Sequence, residues 1–358
     1  MNTGTEQEDV LLEREGRIGR IVLNRPKALN ALTHPMVRRI DEALARWEQD
    51  ETVAAVVITG AGERGLYAGG DIRAIYEDAR AGGTASLGFW RDEYRLNARI
   101  ARYPKPYIAV MDGIVMGGGV GISAHGRVRV VTERTRIAMP ETGIGFVPDV
   151  GGTYLLALAP GELGTHLALT AATAGPGDAL LCGLADLLVP AAKLPSFLAA
   201  LTEEEVTAAV HRHAAPVPAG PLAAQLDWID HCYAADTVEE ILDRLRASGE
   251  GAAKEAAEQI AAKSPTALKV TLRSLRRARR LGPLEQVLDQ EYRVSSAALR
   301  SPDLVEGVRA QVIDKDRSPR WSPPVLEAVT EDDVDRFFTP LGPQELGLGT
   351  TTAWEERW

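Results

Sequence analysis

Apolar and polar residues alternate along the first half of the chain in two different periods. Residues 10–13 and 18–23 are short branched apolar runs around a turn, which is typical of a β-hairpin. Between 33 and 50 the apolar residues recur at helical spacing with charges between them, which predicts an amphipathic helix. Uninterrupted apolar runs predict strands at 53–59 and 107–111, and a third strand is expected at 127–132. This alternation over residues 10 to about 190 indicates an α/β core.

The pattern changes near residue 200. Thr202 and Glu205 have the spacing of a capping box, and a stretch rich in proline and glycine at 216–221 predicts a linker. The later apolar spacing is helical, with helices expected at 222–247, 252–262, 265–281, 284–300 and 303–313. The chain is therefore predicted to have an α/β domain at 1–200 and a mainly α-helical C-terminal region at 201–358.

Composition and charge narrow the class of protein. With 358 residues, 45% of them hydrophobic and 25% charged, the chain has the composition of a globular protein of about two domains. A formal net charge of -10 argues against a general binder of nucleic acid or anionic membranes. Residues 1–10 show no apolar run of a targeting segment, and two distant cysteines favour a reducing cytoplasm. The 6 histidines show no zinc-binding spacing, so we expect no metal, and we expect His211 and His213 to be exposed.

Two glycine-rich segments each follow a predicted strand. They are 67–71 and 113–121. Because glycine has no Cβ, such segments let backbone N–H groups face a ligand, and two of them can supply two converging donors. One alternative is that the glycines serve only tight turns. Another is a dinucleotide-binding fingerprint at 119–124 with Glu141 as its acid, but Glu141 follows Pro140 rather than ending a strand, which disfavours this interpretation.

Two acidic residues lie in a loop interrupted by glycine and proline. Glu141 and Asp149 have apolar neighbours within 139–150, which are expected to raise the pKa of either carboxyl group. Acid–base or nucleophilic chemistry is one interpretation. The alternatives are that Asp149 caps a helix beginning near Thr153 and that Glu141 is a salt-bridged loop acid.

At these residues the chain resembles the crotonase (enoyl-CoA hydratase/isomerase) superfamily, and within it the 3-hydroxyisobutyryl-CoA hydrolase branch. The resemblance extends over most of residues 10–340. It implies a core of repeated ββα units followed by a helical region that covers the site or forms trimers or hexamers. The segments that carry it are 67–73, 116–121, 125–126, 139–142, 146–152, 264–266, 291–293, 306–310 and 313–316.

The resemblance implies an active site for acyl-CoA thioesters. It places an oxyanion hole at the backbone N–H groups of Gly70 and Gly118. Hydratases of the superfamily use two glutamates, and the first of these positions is Gly121 here, which makes ordinary hydration doubtful. The hydrolase branch keeps the acid at Glu141 and adds one at Asp149, which favours thioester hydrolysis.

The resemblance also implies individual roles. Glu141 attacks the thioester or activates a water, and Asp149 orients substrate and water and binds the 3-hydroxyl group. Glu93 matches a substrate-contacting glutamate, with a solvated helix acid as the alternative. For the CoA phosphates and adenine it implies Arg25, Lys27 and the backbone of Ala68. A denser basic cluster is expected to be mostly a solvated helix face, with one or two of its side chains reaching the 3'-phosphate or pyrophosphate of coenzyme A. It consists of Lys269, Arg273, Arg276, Arg277, Arg279 and Arg280.

The expected activity is hydrolysis of a short-chain 3-hydroxyacyl-CoA, most closely 3-hydroxyisobutyryl-CoA from valine breakdown. No cofactor is expected beyond the coenzyme A of the substrate. One alternative is a hydratase or isomerase that uses Glu141 as its sole base. Another is an acyl-CoA-binding protein without turnover.

Overall fold

The computed structural model describes residues 8–62 and 64–349, and this part of the chain contains two β-sheets. The larger sheet has the order β1-β2-β3-β5-β7-β9, and the smaller one has the order β4-β6-β8. Only β1 and β2 are antiparallel; the other neighbouring strands are parallel. The strands are β1 (Val10–Glu15), β2 (Ile18–Leu23), β3 (Ala55–Gly60), β4 (Tyr67–Ala68), β5 (Tyr107–Met111), β6 (Ile114–Met116), β7 (Val128–Val131), β8 (Arg136–Ala138) and β9 (Leu187–Leu188).

Helices occupy most of the remaining described chain. They are α1 (His34–Gln49), α2 (Ile72–Arg80), α3 (Ala85–Ala101), α4 (Gly118–Ser123), α5 (Gly152–Leu158), α6 (Leu163–Thr170), α7 (Pro176–Leu181), α8 (Leu194–Glu203), α9 (Val206–His213), α10 (Leu226–Tyr233), α11 (Val238–Ala247), α12 (Gly251–Ala261), α13 (Pro265–Leu281), α14 (Leu284–Ala298), α15 (Pro302–Val308) and α16 (Glu331–Asp335). Short 3-10 turns include Pro26–Ala28 and Glu141–Ile144, and Arg309–Ile313 is a π-helix.

The first half of the chain repeats one unit, which confirms the predicted ββα core. A strand of the larger sheet is followed by a short strand of the smaller sheet and then by a helix, as in β3-β4-α2 and β5-β6-α4. The parallel register aligns Ala68 with Met116, and Met116 with Ala138. The residues that follow these three strands therefore meet at one edge of the smaller sheet. That edge positions the functional site.

The predicted helices of the second half are confirmed with three differences. The helix expected at 303–313 is α-helical only to Val308 and continues as the π-helix Arg309–Ile313. The expected helix at 222–247 is interrupted between α10 and α11, because the Thr237 side chain accepts a hydrogen bond from the Glu240 N–H and starts a new helix. The capping box predicted at Thr202 is wrong. Thr202 lies inside α8, where its hydroxyl donates to the Ala199 carbonyl, and α9 begins four residues later at Val206.

The C-terminal helices pack directly on the α/β core. One apolar core contains Ile58 and Met111 of the larger sheet together with Leu275 of α13 and Leu288 of α14. The domain boundary near residue 200 stays a prediction. In the part of the chain that the structure describes, no helix has the length and apolar character needed to cross a membrane. The predicted lack of a targeting segment at 1–10 falls mostly on residues 1–7, outside the described residues.

Candidate active site

Two glycine amides meet at the edge of the smaller sheet. Gly70 and Gly118 each come two residues after the aligned pair Ala68 and Met116, so the register places them side by side. Neither N–H donates a hydrogen bond to another residue that the structure describes. A Cβ on Gly117 would lie 2.9 Å from Glu141 Oε1, so this backbone and that carboxyl group are in contact. The geometry fits an oxyanion hole beside a carboxylate.

Glu141 begins the 3-10 turn Glu141–Ile144, three residues after the end of β8, and is 6% exposed. Its Oε2 has no hydrogen-bond partner among the described residues, and no described basic side chain forms an ion pair with it. Burial raises the pKa of the Glu141 carboxyl group well above its ordinary value, and the nearby charge of Asp149 raises it further. The alternative of a salt-bridged loop acid is therefore wrong.

Asp149 is buried as well. The Tyr94 hydroxyl donates a hydrogen bond of 2.7 Å to Asp149 Oδ2. Burial raises the pKa of Asp149 to about 7, although the Tyr94 hydrogen bond opposes this shift. The helix-cap alternative is wrong, because Gly151 occupies the cap position before α5 and no side-chain cap hydrogen bond is formed there.

Helix α3 contributes three polar residues, Glu93, Tyr94 and Asn97, to the buried surface near Asp149. Glu93 is 2% exposed, its Oε1 lacks a hydrogen-bond partner among the described residues, and burial together with the charge of Asp149 raises its pKa well above the usual value. Glu93 is therefore not a solvated helix acid. Asn97 was missed by the sequence analysis. Its spacing of one helical turn from Glu93 was the available signal.

The loop that carries Asp149 is held in place by two residues to which the sequence analysis gave no role. The Glu291 carboxylate accepts hydrogen bonds from the N–H groups of Gly151, at 2.6 Å, and Thr153, at 2.9 Å. Burial nevertheless raises the pKa of Glu291 to about 8. Burial lowers the pKa of His125 to about 4, so the ring is neutral and its Nε2–H donates to the Val150 carbonyl at 2.8 Å. These contacts hold Val150 and Gly151 in left-handed conformations, with φ of 54° and 78°.

Gly121 has no room for a side chain. A Cβ added there would lie 2.6 Å from Val150 Cβ and 2.9 Å from Asn97 Nδ2. Packing at this distance excludes even alanine without rearrangement. The space that a first glutamate would need is therefore taken by the loop of Asp149 and by helix α3.

The predicted coenzyme A residues lie near the glycine loop. Arg25 donates a hydrogen bond of 2.6 Å to the Ala31 carbonyl and lies 3.4 Å from the Asp71 carboxylate. Leu32, the residue after Ala31, forms a β-bridge with Gly70. Lys27 is exposed and forms no ion pair with the described side chains. The backbone of Ala68 lies in β4 beside this loop.

The C-terminal basic cluster is largely neutralised by acids. Arg276 and Arg279 contact Glu162 at 2.8 and 2.7 Å, and Lys269 contacts Glu239 at 2.6 Å.

The prediction that His213 is exposed is wrong. Its ring packs on Phe197 and its Nδ1 lies 2.8 Å from the Ala209 carbonyl oxygen.

Comparison with known proteins identifies the family of the chain. Residues 18–338 match the family described as enoyl-CoA hydratase/isomerase. The mitochondrial 3-hydroxyisobutyryl-CoA hydrolase of Rattus norvegicus is 43% identical over 357 residues, covering 97% of this chain and 92% of the relative. The corresponding Homo sapiens protein is 43% identical, covering 95% of this chain and 90% of the relative.

A solved structure described as a carnitinyl-CoA dehydratase from Mycobacterium thermoresistibile is 57% identical, with a TM-score of 0.92, covering 95% of this chain and 98% of that chain. Another, described as an enoyl-CoA hydratase from Rhodobacter sphaeroides, is 46% identical, with a TM-score of 0.89, covering 95% of this chain and 99% of that chain. Both the extent of the family match and the near full-length relatives lead to one conclusion: the chain belongs to the enoyl-CoA hydratase/isomerase family.

Proposed function

We propose that the protein hydrolyses the thioester of 3-hydroxyisobutyryl-CoA to 3-hydroxyisobutyrate and coenzyme A. The observation that carries the proposal is the pair of buried carboxyl groups, Glu141 and Asp149, combined with the absence of space for an acid at Gly121. The curated relatives named 3-hydroxyisobutyryl-CoA hydrolase support it.

The chemistry begins at the thioester carbonyl. The N–H groups of Gly70 and Gly118 stabilise the negative charge that develops on the carbonyl oxygen. The Glu141 carboxylate either attacks the carbonyl carbon and forms an acyl-enzyme, or removes a proton from a water that attacks it. In both cases the C–S bond breaks and the thiolate of coenzyme A leaves. When water attacks directly, its oxygen ends in the free acid. When an acyl-enzyme forms, a water then cleaves the mixed anhydride, which releases the free acid and restores the Glu141 carboxyl group.

Asp149 supplies orientation and proton exchange. With its pKa at about 7, the Asp149 carboxyl group is protonated in a large fraction of molecules at neutral pH and can deliver a proton to the leaving thiolate. The Tyr94 hydroxyl fixes one carboxyl oxygen, Oδ2, and we assign the other oxygen to the substrate hydroxyl or water. Glu93 provides a further polar contact to the acyl group.

Coenzyme A enters the proposal as part of the substrate, and no separate cofactor is required. Arg25 and Lys27 are suited to its phosphates because they are the basic groups beside the Gly70 loop, and the Ala68 backbone is suited to its adenine. We place the reaction in valine degradation. The C-terminal region, 201–358, is assigned to covering the site or to assembling a trimer or hexamer, which a sedimentation experiment tests.

The cellular location is a separate inference. Cys182 and Cys232 are buried free thiols, which fits the reducing cytoplasm that we propose. The curated relatives, by contrast, are named as mitochondrial proteins. Fractionation of cells that express the native protein distinguishes the two compartments.

A hydratase or dehydratase that uses Glu141 as its sole base is the second candidate. The observation that favours it is the similarity to the solved structures described as a carnitinyl-CoA dehydratase and an enoyl-CoA hydratase. Gly121 counts against it, since a two-glutamate arrangement cannot form there. An acyl-CoA-binding protein without turnover is less well supported, because both buried acids are present.

The proposal is tested by measuring free thiol release from 3-hydroxyisobutyryl-CoA by the wild-type protein and by Glu141→Gln and Asp149→Asn. We expect release by the wild type and a loss of at least about 100-fold in both variants. Glu77→Gln and Asp227→Asn, at exposed positions, are the matched controls and should retain activity. Unchanged rates in Glu141→Gln would contradict the proposal.

A further inference from the structure

The side chain of Asn97 is fully buried and lacks partners. Its exposure is 0%, and neither Oδ1 nor Nδ2 has a hydrogen-bond partner among the residues that the structure describes. A buried amide without partners costs free energy, so such groups in folded proteins usually meet a water or a ligand. Asn97 therefore has a donor and an acceptor available for something other than the protein.

Helix α4 places this amide next to the reacting groups. Glu141 Oε1 lies 2.9 Å from the Cβ position of Gly117, and Asn97 Nδ2 lies 2.9 Å from that of Gly121. Gly117 directly precedes α4, and Gly121 lies four residues later within it, so the two contacts are on the order of 6 Å apart along the chain. The Glu141 carboxyl group thus contacts the start of α4, and the Asn97 amide contacts its first turn.

The Asp149 loop reaches the same point. Val150 is the neighbour of Asp149, and its Cβ lies 2.6 Å from the point where a Cβ on Gly121 would lie. The Asn97 amide contacts the same point. Glu93, one turn before Asn97 on α3, has an unpartnered Oε1 and is close enough to Asp149 for their charges to interact. Asn97 is therefore part of the polar wall of the site, at the place where a hydratase would carry its first glutamate.

The chemistry of an amide selects the ligand group. A carboxamide offers N–H donors and a carbonyl acceptor, so it is satisfied best by a group that both donates and accepts. A thioester oxygen only accepts, and a methyl group does neither. Within the 3-hydroxyacyl group, only the hydroxyl meets both requirements; a resident water has the same chemistry.

We propose that Asn97 binds the hydroxyl of the acyl group and thereby selects hydroxyacyl thioesters over their deoxy analogues. This inference rests on the proposed function, since it names a specificity residue of the same site. A site that hydrogen-bonds a substrate hydroxyl discriminates against an analogue that lacks it, because the polar groups then stay unpaired.

The test compares 3-hydroxyisobutyryl-CoA with isobutyryl-CoA, which has the same carbon skeleton without the hydroxyl. For Asn97→Leu, an apolar replacement of similar size, we expect kcat/KM for the hydroxy ester to fall about 10- to 100-fold and that for isobutyryl-CoA to change less than about threefold. Equal losses for both esters would overturn the inference and indicate a structural role or a resident water.

A binding measurement separates this inference from the proposed hydrolysis. Dissociation constants of both esters are measured by calorimetry in Glu141→Gln and in Glu141→Gln combined with Asn97→Leu. If Asn97→Leu weakens binding of the hydroxy ester about tenfold or more and leaves binding of isobutyryl-CoA unchanged, the inference is supported. Absence of thiol release by the wild type would refute the proposed hydrolysis but not this inference. Unchanged discrimination overturns it.

Folding is monitored by thermal melting. If Asn97 is unpartnered in the free protein, Asn97→Leu should melt no lower than the wild type, since an apolar side chain of similar shape removes an unsatisfied group. A variant that does not fold is replaced in both measurements by Asn97→Ala, which leaves space rather than new bulk. Loss of discrimination is expected for either variant.

Discussion

The carboxyl groups of Glu141 and Asp149 interact with each other, and burial disfavours the charged form of both. Two such acids do not ionise independently, so the pair takes up and releases protons in two steps that belong to the pair. Between these two steps the pair carries one proton. One charged and one protonated acid is the combination that thioester hydrolysis needs.

This coupling predicts a bell-shaped pH dependence of kcat/KM, because activity requires one acid charged and the other protonated. Tyr94→Phe removes a hydrogen bond that favours ionised Asp149, so the pKa values of the pair should rise and the profile should move to higher pH. Tyr76→Phe, on α2, is the control and should leave the profile in place. A profile unchanged by Tyr94→Phe, or moved to lower pH, would contradict this account.

Substitutions at Gly121 test whether the space beside this residue is filled. Gly121→Ala should reduce the free energy of unfolding by about 1–3 kcal/mol, because its Cβ overlaps Val150 and the Asn97 amide. Gly251→Ala, where a Cβ meets nothing within 4 Å, should be close to neutral. Urea unfolding of both variants checks this. Gly121→Glu with wild-type stability would show that the space is open after all.

At the scale of elements, the Asp149 loop depends on α14. The Glu291 carboxylate joins the N–H groups of Gly151 and Thr153 at the start of α5, so helix α14 fixes the loop between β8 and α5. Phe146 of the same loop stacks on Trp90 of α3, with ring centroids 5.4 Å apart. The position of Asp149 is therefore set by two helices that are distant from it in sequence.

Glu291→Ala should lower kcat/KM by at least tenfold and the free energy of unfolding by about 2–3 kcal/mol, because two buried backbone N–H groups lose their acceptor. Glu285→Gln, on the same helix and paired with Arg102 at 3.3 Å, is the control and should change either quantity little. Steady-state kinetics and urea unfolding measure both effects. Wild-type kinetics in a folded Glu291→Ala variant would contradict the role of these hydrogen bonds in positioning Asp149.

The elements also show which features the sequence could predict. Strand β5 and helix α13 are found at their predicted bounds, since long apolar runs and clear helical spacing determine them locally. Strand β4 has two residues, too few to produce a period. The contacts of Glu291 and Asn97 arise from packing between distant elements, and local sequence patterns do not contain that information.

At the scale of the whole molecule, the helical region and the α/β region share one apolar core. Helix α13 packs against α5 and α14 packs against α3, so the site lies between residues from both halves of the chain. The two regions were predicted from the different spacing of their apolar residues. That spacing does not show whether two regions share a core.

A shared core predicts one cooperative unfolding transition. In calorimetry we expect a single peak whose calorimetric and van't Hoff enthalpies agree, and coenzyme A should shift the whole peak to higher temperature. Limited proteolysis provides the control for domain structure. Two separate transitions, together with a stable fragment ending near residue 200, would contradict a shared core and support two independent domains.

The most direct test of the account is the identity of the products from 3-hydroxyisobutyryl-CoA, separated by chromatography and identified by mass spectrometry. Hydrolysis predicts free coenzyme A and 3-hydroxyisobutyrate in equal amounts, with no unsaturated ester above the enzyme-free blank. A dehydratase would instead yield methacrylyl-CoA with the thioester intact. Accumulation of that unsaturated ester without free thiol would contradict the account.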